Sequence, residues 1–303
     1  MAKYVVKRII LAIASVFIIC AITFFAMNAI PGGPFNKEKA ASAAVQAVLE
    51  ERFHLNEPVG KQFFIYMGNL LHGDFGVSMK TGRDIWKTIS ESFAVSAHIG
   101  LMAMAIALVI GLVLGSIAAL WRNKFPDRII VFMATLATAV PSFVLASLLL
   151  LIFCIRLKLI PVWSTYNPNY VLPVISLSLY PMAYITRLTK TSMLDVLGQD
   201  YVRTARAKGV SWINVIFKHA LRNALIPVIT YVGPMTASIL TGSLVIETIF
   251  TIGGLGSKFV DSISNRDYPM IMGTTIFLAV LMVGINLISD LIYKLVDPRI
   301  KFE

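Results

Sequence analysis

The sequence predicts an all-α integral membrane protein with six transmembrane helices, and three observations predict it. Hydrophobic residues make up 57% of the 303 and charged residues only 14%, against about 25% charged in a soluble domain. Apolar runs of about 20 residues recur, each long enough to cross a ~30 Å hydrocarbon core. The runs are continuous rather than short and alternating, which excludes a transmembrane β-barrel.

The first span is read at about 9–30. It follows Lys3, Lys7 and Arg8, and its apolar run exceeds the 7–15 residues of a signal-peptide core, so it is expected to stay as an uncleaved helix. The second, about 93–120, carries Gly111 and Gly115, small residues one turn apart that permit close helix packing. The third, about 129–155, has Pro141 at its middle. The fourth, about 171–188, carries Pro173 and Pro181. The fifth, about 226–247, carries Pro227, Gly233 and Pro234, and the sixth runs over about 270–293.

Between the first two spans lies a segment too long for a turn. It opens with Pro31-Gly-Gly-Pro34, which ends the first helix. Residues 40–54 and 58–70 read as two amphipathic helices, the first with Val45, Val48, Leu49 and Phe53 on one face. Gly73-Asp-Phe-Gly76 reads as a turn. The predicted organisation is a tail and first span (1–30), a small external helical subdomain (31–92) and a transmembrane core (93–303), the core including a cytoplasmic loop over 189–225.

The net charge is +11, and its distribution gives the orientation. With the N-terminus in the cytoplasm, 16 Lys and Arg fall on that side and 11 outside. The long external segment balances its seven cations with seven acids. The short loops carry the positive-inside rule and favour N-in and C-in, as an even span count requires.

The chemistry of the spans is spare. Glu247 and Asp290 fall near span ends. His98 is expected to be a hydrogen-bonded interface histidine rather than a proton relay. Proton- or ion-coupled carriers keep charges within their spans, and that shortage places the driving energy elsewhere. Cys20 and Cys154 both lie in apolar runs, read as buried small residues with no disulfide framework and no metal-ligand spacing. No convergent His, Asp or Ser set marks a membrane enzyme, and neither midplane charges nor inverted repeats mark a stand-alone secondary transporter. The helix-breaking prolines of spans three to five imply freed carbonyls that protein or water must satisfy. Pro141, Pro181, Met182, Gly233, Pro234 and Met235 are therefore candidates for a translocation path, with flexible methionines suited to varied solutes.

The most informative stretch is Asp200-Tyr-Val-Arg-Thr-Ala-Arg-Ala-Lys-Gly209, followed by Ser211 to Arg222. Asp200 is predicted to N-cap a helix over 201–208. Lys208 suits its last turn, Gly209 the left-handed position after it, and Ser211 caps a second helix. Ile213, Ile216, Phe217, Ala220, Leu221 and Ala224 recur there at helical spacing, with Lys218, His219 and Arg222 among them. A DNA-binding helix–turn–helix is excluded, because both flanks are tied to spans within a few residues and cannot reach a groove.

This segment resembles the cytoplasmic coupling loop of the permease subunits of bacterial ABC importers. The general motif there is Glu-Ala-Ala, three residues, Gly, nine residues, Ile, one residue, Leu-Pro. With Gly209 on its glycine, Ala205 and Leu221 keep the pattern, and Arg203, Thr204, His219 and Arg222 depart from it. The peptide-importer branch is nearer, with its Ala-Arg-Ala-Lys-Gly at Ala205–Gly209 and His-Ala-Leu-Arg-Asn-Ala at His219–Ala224. Tyr4–Ile9, Gly73–Gly76, Gly242–Phe250, Gly253–Gly256, Asp267–Pro269 and Asp297–Arg299 look like that branch too. Six spans with a large first external loop resemble its B-type permease. The resemblance implies a multi-pass protein of the bacterial plasma (inner) membrane. It implies a pathway shared with a second, C-type permease, two ATPase subunits docked on the coupling helices, and an external peptide-binding protein. ATP and magnesium would belong to the ATPases, which fits the missing phosphate loop here, and this chain would carry no cofactor and no catalytic residue. The residues it assigns to coupling are Arg203, Thr204, Ala205, Lys208, Gly209, Lys218, His219, Leu221 and Arg222. Ala205 and Leu221 would give close or apolar contact, and the cations would meet acidic or backbone groups. Import of nickel or another solute by a permease of the same family remains the alternative.

Overall fold

A computed structural model of the chain describes residues 2–31, 55–241 and 244–296. The expected helix over 40–54, and the motif residues at 242 and 297–299, lie outside them. Among the described residues the elements are helices: α1 (Ala2–Ala29), α2 (Val59–Leu71), α3 (Ile85–Leu120), α4 (Phe125–Ala139), α5 (Ser142–Arg156), α6 (Val171–Leu197), α7 (Asp200–Ala207), α8 (Trp212–Leu240), α9 (Leu244–Ile249), α10 (Leu255–Asn265) and α11 (Tyr268–Val296). Five are long and apolar enough to cross a membrane: α3, α6 and α8, and Val6–Ala29 and Tyr268–Ser289 within α1 and α11. The pair α4 and α5 passes the same test together but is bent by 101°.

That bend falls at Pro141, the helix-breaker at the middle of the third span expected over 129–155. Pro141 has no N–H to continue the helix, and its ring drives the preceding residue out of the helical region. Val140 accordingly sits at φ −87°, ψ 128°, and the chain restarts after Pro141. Two boundaries move. The fourth span continues beyond 188 to Leu197. The separate interfacial helix and the fifth span expected over 226–247 are one helix, Trp212–Leu240, ending seven residues early. Within it Val215–Leu221 forms a wide π turn, an irregularity common at functional sites.

The chain divides into two units, Met1–Val95 with Gly253–Val283, and Ser96–Ile252 with Gly284–Glu303. In the first unit the C-terminal half of α1 places Cys20, Phe24 and Met27 against Phe63 of α2 and Tyr268, Ile271, Met272 and Ile276 of α11. The Phe24 and Phe63 rings meet edge-on at 5.3 Å. Helix α2 ends in a left-handed Gly73 at φ 80°. There Gly73 N–H donates to Leu70 (2.9 Å) and Asp74 N–H to Asn69 (3.0 Å), the paired bonds of a Schellman cap. The following loop is fastened by Asp267, whose carboxylate accepts from the Ser78 hydroxyl (2.5 Å) and the Met79 N–H (3.0 Å).

The second unit is built around α6, with α4, α5 and α8 packed along it. Ala107, Ile185 and Val228 bring α3, α6 and α8 together. Gly111 and Gly115 act as their spacing predicts. A Cβ on Gly111 would lie 2.8 Å from the Ile185 side chain, and one on Gly115 only 2.5 Å from the Thr186 carbonyl and 2.6 Å from Thr189. The two glycines therefore let α3 touch the backbone of α6. His98 lies ring-edge to Tyr170 at 5.1 Å, so the contact it makes is aromatic.

Candidate functional site: the basic turn at 200–222

Three pieces of local chemistry fix this segment. Gln199, in extended conformation, is the N-cap of α7, and its carbonyl accepts from Val202 and Arg203. Asp200 therefore stands at the first helical position and not at the cap, where it still favours the helix dipole. At the other end Gly209 takes φ 77°. Gly209 N–H donates to the Arg206 carbonyl (3.0 Å) and Val210 N–H to that of Ala205 (3.2 Å), a second Schellman cap with its apolar contact between Val210 and Ala205. Ser211 is the N-cap of α8 but makes no side-chain capping bond.

The turn is held from within. Val202, Ala205 and Val215 are buried and pack with Val196, Leu197 and Val210. Ile216, Ala220 and Ala224 pack with Ala119 and Met193, with Leu221 half-buried beside them. Asn223 donates to the Tyr201 hydroxyl at 2.8 Å, and the Arg206 guanidinium lies over the Trp212 ring at 5.0 Å. Nearby, Lys190 of α6 pairs with the buried Asp127 of α4 at 2.6 Å, and Asp127 also accepts from Asn123 N–H at 2.8 Å.

The nine residues assigned to coupling thus divide. Arg203, Thr204, Lys208, Gly209, Lys218 and Arg222 are exposed, and His219 is half-buried. Ala205, only 8% exposed, and the half-buried Leu221 face inward, so they hold the turn rather than present a surface. The most exposed large apolar side chains of the segment are Ile213 and Phe217, 68% and 64% exposed and one turn apart. Periodicity alone groups these two with Ile216 and Ala220. Only the packing of α8 shows which side faces out. Asp127 and Lys190 escaped sequence reasoning because their pairing joins two different helices.

The candidate path residues also separate. Pro234 and Met235 line an open groove between α6 and α8. Pro181 is buried, and Met182 packs toward Ala107 and Val228. Gly233 lies against Ser289 of α11, where an added Cβ would collide with the hydroxyl. Pro141 makes the bend between α4 and α5.

A multi-helical membrane protein with an exposed basic turn between two spans is one class of molecule, and solved structures share its fold. A structure of the MetNI methionine ABC transporter superposes with a TM-score of 0.55 at 14% identity, covering 70% of this chain and 97% of the other. An amino acid ABC transporter gives 0.52 at 15% identity, covering 71% and 94%. The model of the binding-protein-dependent transport system inner membrane component matches residues 111–302, and that family's N-terminal model matches 1–100. The chain is 48% identical to the dipeptide transport system permease protein DppB of Bacillus subtilis over 305 residues, 100% of this chain and 99% of that one. It is 42% identical to the oligopeptide transport system permease protein OppB of Haemophilus influenzae over 306 residues, the whole of both. The chain belongs to the binding-protein-dependent transport system inner membrane component family.

Proposed function

We propose that this chain is the pore-forming permease subunit of an ATP-driven peptide importer. The observation that carries the reading is identity of 40–48% along the full length to permeases named for dipeptide and oligopeptide transport. The geometry supports a division of labour. Two helices joined through Gly209 offer Ile213 and Phe217 as an apolar centre, with Arg203, Lys208, Lys218 and Arg222 exposed along the same segment. That pattern of apolar core and polar rim suits a protein partner. In this reading two ATPase subunits dock on the coupling helices of this chain and of a second permease, the two permeases form the pathway, and an external binding protein delivers peptide. ATP and magnesium act in the ATPases, and both termini of this chain lie in the cytoplasm.

The test is reconstitution. Mild-detergent preparations of this chain should carry a second permease and ATPase subunits. In proteoliposomes the assembly should take up peptide only with ATP and an external binding protein. Uptake without ATP or partners, or uptake of another solute in place of peptide, overturns the reading. Tags at each terminus, probed in intact and opened cells, test the orientation separately.

A further inference from the structure

The groove between α6 and α8 has a volume of about 550 Å³, within the usual range for ligand sites. Tyr184 of α6 and Thr230, Tyr231, Pro234, Met235 and Ser238 of α8 line it. Positions 227, 230, 231, 234 and 238 repeat at helical spacing and share one face of α8. The exposed face of α3 is aliphatic by contrast, with Val109, Ile110 and Val113. This face carries prolines and hydroxyls, with Thr230, Pro234 and Ser238 exposed, which is not the surface a helix turns to acyl chains.

Two features make it a hydrogen-bonding wall. The Tyr184 and Tyr231 rings stack with centroids 4.2 Å apart and planes 20° apart. The Tyr231 hydroxyl is buried and has no hydrogen-bond partner among the described groups. Pro234, lying within α8, has no N–H, so the Thr230 carbonyl lacks the donor that an ordinary helix supplies. One short stretch thus holds an unpartnered hydroxyl and a carbonyl without its usual helical donor. A peptide group carries one N–H and one C=O whatever its side chain.

We propose that this groove is the wall of the pathway in this chain that contacts substrate, and that it reads peptide backbone. The Tyr231 hydroxyl donates to a substrate carbonyl, and the Thr230 carbonyl accepts a substrate N–H. Tyr184 and Met235 give a flat and a pliant surface to whatever side chain follows. The assignment rests on the peptide-import reading. It departs from a purely steric channel by naming backbone contacts that all peptides share.

The experiment uses the whole transporter in proteoliposomes with ATP, its binding protein and labelled trialanine, and a tripeptide bearing a benzophenone side chain as photoprobe. Tyr231→Phe should lower uptake at subsaturating peptide about three- to tenfold, the loss of one hydrogen bond. The loss should be alike for alanine and bulky tripeptides, with the subunits still copurifying. Tyr166→Phe, which removes a fully exposed hydroxyl elsewhere, should leave uptake unchanged. During turnover the photoprobe should label the fragments bearing Tyr184 and Tyr231. Unchanged uptake by Tyr231→Phe, or labelling confined to other helices, overturns the groove assignment while peptide import stands. If Tyr184→Ala and Tyr231→Phe instead release the second permease, the face is a subunit interface and the proposal falls. If the unmodified transporter moves no peptide, the functional reading itself falls.

Discussion

Gly209 shows how much one backbone angle decides. At φ 77° an L-residue pays about 1–2 kcal/mol for the left-handed conformation. An added Cβ there would meet nothing within 4 Å, so the cost is conformational and not steric. Asn and Asp tolerate this region better than other side chains, which separates geometry from charge. Gly209→Asn should insert normally and keep most ATP-driven uptake. Gly209→Asp places a negative charge beside Lys208 in a segment that is otherwise basic, and should insert normally yet uncouple hydrolysis from uptake. Both are read by membrane abundance and by the ratio of peptide moved to ATP hydrolysed. Normal coupling in the Asp variant would sink the docking role of this turn.

At the scale of elements, two contacts set how α3, α4 and α6 lie together. Gly115→Ala would bring its Cβ within 2.5 Å of a backbone carbonyl, and should destabilise by about 1–3 kcal/mol as overpacking does. Gly68→Ala in α2 meets nothing within 4 Å and serves as the control, neutral or slightly stabilising. Thermal unfolding of the purified protein in detergent compares them. The buried Asp127–Lys190 pair predicts a larger effect. Lys190→Met leaves a carboxylate stranded and should cost about 3–5 kcal/mol, whereas Asp127→Leu with Lys190→Met should recover most of it. A double variant as unstable as the single one would mean the pair contributes more than charge compensation. The close approach at Gly111 and Gly115 and the turn at Gly209 were legible in the sequence, because each depends on residues a few positions apart. The break at Pro141 was legible too, but its 101° angle was not, since that angle depends on what the two halves pack against. The fusion of the 212–221 region with the following span was hidden because Pro227 reads locally as a helix start and is instead accommodated within α8. The Asp127–Lys190 pair and the outward turn of Ile213 and Phe217 were hidden for a shared reason. Both are decided by which face of one helix meets another, and periodicity does not specify that.

For the molecule as a whole, length and surface decide what lies outside the bilayer. Helix α3 has 36 residues, about 54 Å at 1.5 Å each, so it exceeds a ~30 Å hydrocarbon core and must extend beyond it. The segment at 200–222 carries exposed cations beside exposed apolar side chains, and two environments accept that combination, a lipid headgroup layer or a protein groove. They differ in what happens when the bilayer is removed. A surface made for lipid has no partner to lose in detergent, whereas a surface made for an ATPase keeps it there. Phe217 is 64% exposed and lies outside the clusters that hold the turn, so changing it should leave the fold intact. Phe217→Asp should therefore leave the unfolding temperature within about 2 °C of the unmodified chain, as surface substitutions usually do. It should also abolish copurification of ATPase subunits in detergent and with it ATP-driven uptake. If the variant keeps its ATPases in detergent and fails only in liposomes, Phe217 is a lipid contact and the docking surface must lie among the cations alone.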